Sequence, residues 1–277
     1  MRDVTFSSAT ATLAGLLAVP ASGGPGVVMI GGSGATDRDN DVYFPPIRQH
    51  LLNAGIAVLS YDKRGVGAST GDWRAATIDD LATDAVAALD FLRAEVGTAG
   101  LFGHSEGGWV ALRAAAGRDD VAWVVTNSCP GTTPAVQERH ALAHADAATL
   151  AAYDCLVEAA RRDADSAEAA QIARTAPNLP DDYHDERLWE FLKRKQDHDP
   201  VPDARRLRCP HLAVFGGADP LVPVADSVRL FTEAARDRAP QATLSIELFP
   251  HADHRIHTGA DLAAGYLDTL TRWITSP

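Results

Sequence analysis

Apolar and polar positions along this chain alternate between two rhythms. Val27-Val28-Met29-Ile30, Ile56 to Tyr61, Ala99 to Phe102, Val121 to Thr126 and Leu212 to Phe215 are short apolar runs, and several lack polar alternation. That pattern predicts parallel strands covered on both faces. Thr243 to Phe249 alternates as a further strand, and Val4-Thr5-Phe6 with Leu13 to Val19 reads as an opening hairpin. Between these runs the period lengthens to that of a helix. Thr77-Ile78-Asp79-Asp80 has the form of a capping box with aspartate in third place, and Leu81, Ala85, Leu89 and Leu92 follow at helical spacing up to Val96. Asp261 to Ile274 repeats the pattern through Leu262, Tyr266, Leu270 and Trp273. Strands alternating with helices predict an α/β chain: a doubly wound, mostly parallel sheet that receives ligands at the carboxyl ends of its strands.

The alternation stops between about Pro130 and Arg206. Pro134 to Arg162, Ala167 to Ala176 and Leu188 to Leu192 read as helical segments, and no strand arrives until Leu212. A connection that long inside a compact domain needs structure of its own. The expected organisation is therefore one domain over residues 1–277, with a helical insertion at 131–206.

Candidate chemistry lies at the strand ends. Gly103-His104-Ser105-Glu106-Gly107 fits G-x-S-x-G, a sharp turn from strand to helix that lifts a serine hydroxyl above the sheet. The run Ala99 to Phe102 before it and the helical Trp109 to Ala114 after it supply the required context. Asp219 sits just past the strand ending at Phe215, and Pro250-His251-Ala252-Asp253-His254 follows the last strand. Serine, then acid, then histidine is a workable nucleophilic order: an imidazole takes the serine proton, and a carboxylate fixes the imidazole's tautomer. His251, His254 and His257 compete for the base, and Asp226 and Asp253 compete with Asp219 for the acid.

Together, Gly31-Gly32-Ser33-Gly34-Ala35-Thr36-Asp37-Arg38-Asp39, Tyr61-Asp62-Lys63-Arg64-Gly65-Val66-Gly67-Ala68-Ser69 and Gly103-His104-Ser105-Glu106-Gly107-Gly108 resemble the α/β-hydrolase superfamily, in particular a bacterial subgroup of serine esterases. The resemblance implies the α/β-hydrolase fold, with Ser105 as nucleophile, Asp219 as acid and His254 as base. It also implies an oxyanion hole made by the backbone N–H groups of Ser33 and Glu106, and a helical cap at 131–206. Family members often carry His-Gly ahead of the oxyanion residue, where this chain has Gly31-Gly32. The Glu106 side chain could place charge near the pocket, and the more ordinary expectation is that it caps or braces the helix that follows it.

Composition narrows the reading further. A formal charge of −12 with no basic cluster argues against nucleic acid. No apolar run approaches the length of a membrane span. Neither G-x-x-x-x-G-K-[ST] nor G-x-G-x-x-G with a suitably placed acid occurs, so no nucleotide cofactor is expected. Three widely spaced cysteines, Cys129, Cys155 and Cys209, fit free thiols in the cytoplasm. The histidine groups His251/His254/His257 and His140/His144 lack a partner motif for metal. Asp37-Arg38-Asp39 and Asp62-Lys63-Arg64 are expected to form local ion pairs, and Tyr43, Phe44, Trp109, Trp189 and Phe191 to serve as core. The expected function is hydrolysis of a carboxylic ester of small or medium acyl size through an acyl-enzyme, with a small-molecule substrate and no cofactor. Thioester, amide or carbon–carbon hydrolysis and acyl transfer or cyclisation are alternatives on the same fold, as is a non-catalytic binding role.

Overall fold

The computed structural model describes residues 1–179 and 185–276. Among them the strands are β1 (Arg2–Ser8), β2 (Ala11–Ala18), β3 (Gly26–Ile30), β4 (Ala57–Tyr61), β5 (Ala99–His104), β6 (Val124–Asn127), β7 (His211–Gly216) and β8 (Leu244–Phe249), with a small pair β9 (His257–Thr258) and β10 (Asp261–Leu262). The helices are α1 (Phe44–Asn53), α2 (Ile78–Val96), α3 (Glu106–Ala115), α4 (Pro134–Ala141), α5 (Ala147–Arg161), α6 (Ser166–Ala173), α7 (Glu186–Lys195), α8 (Val201–Arg205), α9 (Val224–Ala235) and α10 (Tyr266–Thr275). The main sheet has the order β1-β2-β4-β3-β5-β6-β7-β8. The β1–β2 hairpin joins it antiparallel through β2 and β4, and the other strands pair in parallel.

Strands β3 to β7 are buried at every residue, so side chains of both parities must find apolar cover. Val28 and Ile30 pack on one face with residues of α2, α3 and α9. Val27 and Met29 pack on the other with α1 and α10. The expected capping box starts α2: the Thr77 side chain accepts from the Asp80 N–H while the Asp80 carboxylate accepts from the Thr77 N–H. The late helix begins at Tyr266, because residues from His257 first form the β9–β10 pair and Gly265 turns with a φ of 82°.

Between β6 and β7 the chain runs through α4 to α8. The segment expected as one helix over Pro134 to Arg162 is two, because Asp146 caps a new helix start by accepting from the Thr149 N–H. Helices α5 to α7 share a separate small core in which Tyr153, Leu156 and Trp189 pack among alanines such as Ala152, Ala159 and Ala169, whereas Ala204 of α8 packs into the core of the main sheet. Residues 180–184 of the expected insertion lie outside the described residues.

Candidate active site

Ser105 occupies the turn between β5 and α3 with φ 54° and ψ −123°, a backbone conformation that a serine adopts only under constraint. The crossing is tight. A Cβ on Gly103 would lie 2.1 Å from the Gly107 carbonyl oxygen, and one on Gly107 would lie 2.3 Å from that of Ile30. Glycine at these two positions is thus what lets α3 start against the sheet. The Ser105 N–H donates to the Asn127 carbonyl at 2.9 Å, which ties the turn to the end of β6.

Asp219 lies in the loop after β7, its side chain fully buried. One carboxylate oxygen accepts the backbone N–H groups of Leu221 at 2.8 Å and Val222 at 3.2 Å. The other lies 2.8 Å from His254 Nδ1. Holding Nδ1–H against the carboxylate leaves Nε2 as the imidazole's acceptor. His254 and Ser105 line the same cavity. No hydrogen bond joins them among the described residues; in enzymes without substrate such contacts commonly tighten only in the Michaelis complex.

The competing residues go elsewhere. Asp253 accepts the backbone N–H groups of Arg255 and His257, Asp226 pairs with Arg229 on α9, and His251, His140 and His144 are exposed. His257 packs edge-on against Tyr43. Among the described residues no group of three or more His, Cys, Asp or Glu side chains is placed to hold a metal.

Behind the serine runs a hydrogen-bonded chain. Asn40 Oδ1 accepts the Gly32 N–H at 3.1 Å and its amide donates to His104 Nδ1 at 3.1 Å. The His104 proton then sits on Nε2, which faces the His254 carbonyl at 3.3 Å. Burial and the neighbouring His254 hold the His104 imidazole well below its ordinary pKa, so it stays neutral.

Glu106 departs from expectation. Its carboxylate is buried and takes Lys63 Nζ at 3.0 Å on one oxygen and Lys195 Nζ at 2.6 Å on the other. Burial alone would raise this carboxyl, but the two ammonium groups more than offset it and draw it down to about 2. Ser33 Oγ donates to Glu106 at 3.1 Å and also lies 3.0 Å from Lys195 Nζ. Nothing in the sequence singles out Lys195: it ends the run Lys193-Arg194-Lys195, which reads as a solvated helix terminus. Asn40 and His104 likewise gave no signal of their linked placement.

The other charged motifs behave as local ion pairs. Arg38 grips Asp62 through Nε and a terminal nitrogen and also reaches Asp3, Arg48 pairs with Asp39, and Arg64 with Asp84.

Above Ser105 is a cavity of about 290 Å³. Ser33, Ser105, Trp109 and His254 line it from the sheet side; Tyr153 and Leu156 of α5 and Trp189, Leu192 and Lys195 of α7 line it from the other. Trp109 and Trp189 are therefore both buried and cavity-lining. Phe191 instead packs edge-on against Trp73.

Comparison with known proteins bears on the family and the fold. The family model described as serine aminopeptidase, S33, matches residues 41–261. A palmitoyl-protein thioesterase, the mitochondrial ABHD10 of Rattus norvegicus, is 25% identical over 246 residues, covering 86% of this chain and 71% of its own; its Homo sapiens counterpart is 24% identical, covering 86% and 69%. Among solved structures, the Pyrococcus furiosus esterase Pf2001 superposes with a TM-score of 0.66 at 19% identity, covering 99% of this chain and 90% of that one. The Mycobacterium smegmatis proline iminopeptidase does so at 0.68 and 15% identity, covering 99% and 98%. At these identities the structural likeness speaks to the fold, an α/β-hydrolase sheet with flanking helices.

Proposed function

Since the chain belongs to the serine aminopeptidase S33 family of α/β-hydrolases, we propose that it hydrolyses a carboxylic ester of small or medium acyl size through an acyl-enzyme on Ser105. One observation carries this reading: His254 Nδ1 lies 2.8 Å from a buried Asp219 that two backbone N–H groups anchor, in the cavity that the strained Ser105 turn also lines.

In the cycle, Ser105 Oγ attacks the carbonyl carbon while His254 Nε2 takes its proton, and Asp219 stabilises the imidazolium. The N–H groups of Ser33 and Glu106 receive the negative charge that develops on the carbonyl oxygen. His254 then protonates the leaving alcohol, and a water activated by the same imidazole cleaves the acyl-serine. The helices at 131–206 act as a cap that shapes the acyl pocket. A cavity near the lower end of the ~300–1,000 Å³ range of small-molecule sites suits a modest acyl group. Free thiols, two of them buried, fit a reducing compartment such as the cytoplasm.

A thioester substrate is the second reading, favoured by the thioesterase relative that spans 86% of the chain. The same machinery would serve, since a thiolate leaves more readily than an alkoxide. The test is labelling by a fluorophosphonate probe, followed by para-nitrophenyl esters, acyl thioesters and amino-acid anilides with Ser105→Ala as the blank. Labelling of the wild type alone, with esters turned over fastest, is the expected result. Preference for thioesters would move the reading to the second, and an unlabelled wild type would overturn both.

A further inference from the structure

The side chains of Lys63, Glu106 and Lys195 take part in no step of the proposed cycle, yet they touch both sides of the proposed oxyanion hole. Lys63 Nζ donates to the Gly32 carbonyl oxygen at 2.5 Å. Gly32 C=O and Ser33 N–H belong to one peptide unit, and in a trans peptide they point in opposite directions. Pinning that carbonyl to a buried ammonium therefore fixes where the Ser33 N–H points, and polarising the carbonyl strengthens the N–H as a donor. The other N–H belongs to Glu106, the first residue of α3, whose own carboxylate is held by the same ammonium and by Lys195. Lys195 Nζ lies 3.0 Å from Ser33 Oγ and 2.6 Å from Glu106, so a single group bridges the side chains of both N–H donors.

Lys195 does not come from the sheet. It is the last residue of α7, in the insertion, where its ammonium also sits 4.2 Å from the Phe191 ring centre. Its side chain is 8% exposed, so the contacts are made in a largely buried site where a charge-assisted bond is strong.

We infer that Lys63 and Lys195 are positioning residues of the oxyanion hole, and that through Lys195 the helical insertion completes the hole rather than only covering it. The inference rests on the Ser105 reading above. It means that a loosely seated insertion leaves Ser105 and His254 in place but the hole misaligned, so the loss falls on the transition state and not on substrate binding.

The test compares wild type, Lys195→Met and Lys195→Arg with para-nitrophenyl hexanoate and two ketones. Trifluoromethyl hexyl ketone adds to the serine and places an oxyanion in the hole; methyl hexyl ketone fills the same pocket without reacting. Removing a direct oxyanion donor costs about a hundred- to thousand-fold in kcat, and misplacing one costs less. For Lys195→Met the expected result is a roughly ten- to hundred-fold fall in kcat with KM little changed. The trifluoromethyl ketone should weaken by the same factor, and the methyl ketone should not. Lys195→Arg, which keeps a cation on Glu106, should recover most of the loss. If Lys195→Met does not fold, Lys195→Gln against Lys195→Arg makes the same comparison. Equal weakening of both ketones, or unchanged kcat in an enzyme that still labels with fluorophosphonate, would overturn the inference and leave the Ser105 reading standing. A wild type that neither labels nor binds the trifluoromethyl ketone would overturn both.

Discussion

Lys63 and Lys195 meet at the two oxygens of one carboxylate, yet they arrive from regions built differently. Lys63 follows β4, every residue of which is buried and which pairs with β2 on one side and β3 on the other. Lys195 ends a helix whose neighbours form a core made largely of alanine around Tyr153, Leu156 and Trp189. Alanine buries little apolar area, so each such contact contributes less than the valines, leucines and aromatics flanking the sheet. The Asp219 loop and the Ser105 turn hang from strands paired on both edges, whereas α4 and α7 meet the sheet body through individual side-chain contacts. Examples are Arg187 with Asp72, Trp73 with Phe191, and Gln137 with the Leu221 carbonyl. Rigid strand ends suit groups that must hold their geometry, and a thinly packed region suits one that must admit substrate.

Removing the sheet-held groups should give the largest effects. Ser105→Ala is expected to lower kcat by about a million-fold. One hydroxyl at a turn contributes little packing, so the thermal midpoint should stay near that of the wild type; substantial turnover in the folded variant would contradict the mechanism. Among the loop histidines, His254→Ala should fall by a comparable factor while His251→Ala and His257→Ala remain active, because only His254 reaches Asp219. Asp219→Asn, which leaves the imidazole without its anchoring charge, should cost about ten-thousand-fold.

A substitution in the insertion should separate the two regions. Trp189 is 2% exposed, donates its indole N–H to the Ala164 carbonyl at 3.0 Å, and lines the cavity. Replacing such a buried ring with alanine costs about 3–5 kcal/mol. The loss should appear as faster hydrogen exchange in α5 to α7 with the exchange of β3 to β7 little changed. The ranking of acyl chain lengths should shift more than reactivity toward a small fluorophosphonate. Equal acceleration of exchange in the sheet would show that the insertion and the sheet unfold as one unit, which would dissolve the contrast.

The two regions were unequally legible in the sequence, and for the same reason. Val27 to Ile30 and Leu212 to Phe215 had to be buried strands because two-sided burial demands unbroken apolar runs, and Thr77 with Asp80 announced a helix start through its own hydrogen bonds. Asp219 and His254 stand 35 residues apart, but each followed a recognisable strand, so a meeting at one end of the sheet could be expected. In the insertion, alanine, arginine and acidic residues favour helix without saying which face is inward. The break at Asp146 was missed for that reason, as was Lys195, which differs from Lys193 and Arg194 only by where α7 happens to dock. In the sequence the Glu106 side chain reads more simply as a helix brace, because its two partners lie 43 and 89 residues away.

The smallest effect should be one of pH, and it bears on the carboxylate where the two regions meet. An ordinary glutamate titrates near 4.5, and Lys195 and Lys63 draw Glu106 down to about 2 against the opposing effect of burial. Between those values the unfolded chain binds a proton that the folded chain does not. The stability contributed by this carboxylate is therefore fully present above about pH 4.5 and is lost as pH falls toward 2. Glu106→Gln should flatten that part of the acid limb when thermal midpoints are measured from pH 6 downward. It should also lower the plateau itself, because Lys63, which burial already holds below its ordinary range, and Lys195 would share no counter-charge. Lys195→Met removes one of the two cations, so it should restore part of the proton uptake and move the limb toward higher pH, by less than the loss of both would. A Lys195→Met limb identical to that of the wild type, with the Glu106→Gln limb flattened, would mean that Lys195 does not hold the carboxylate and that Lys63 alone sets its charge.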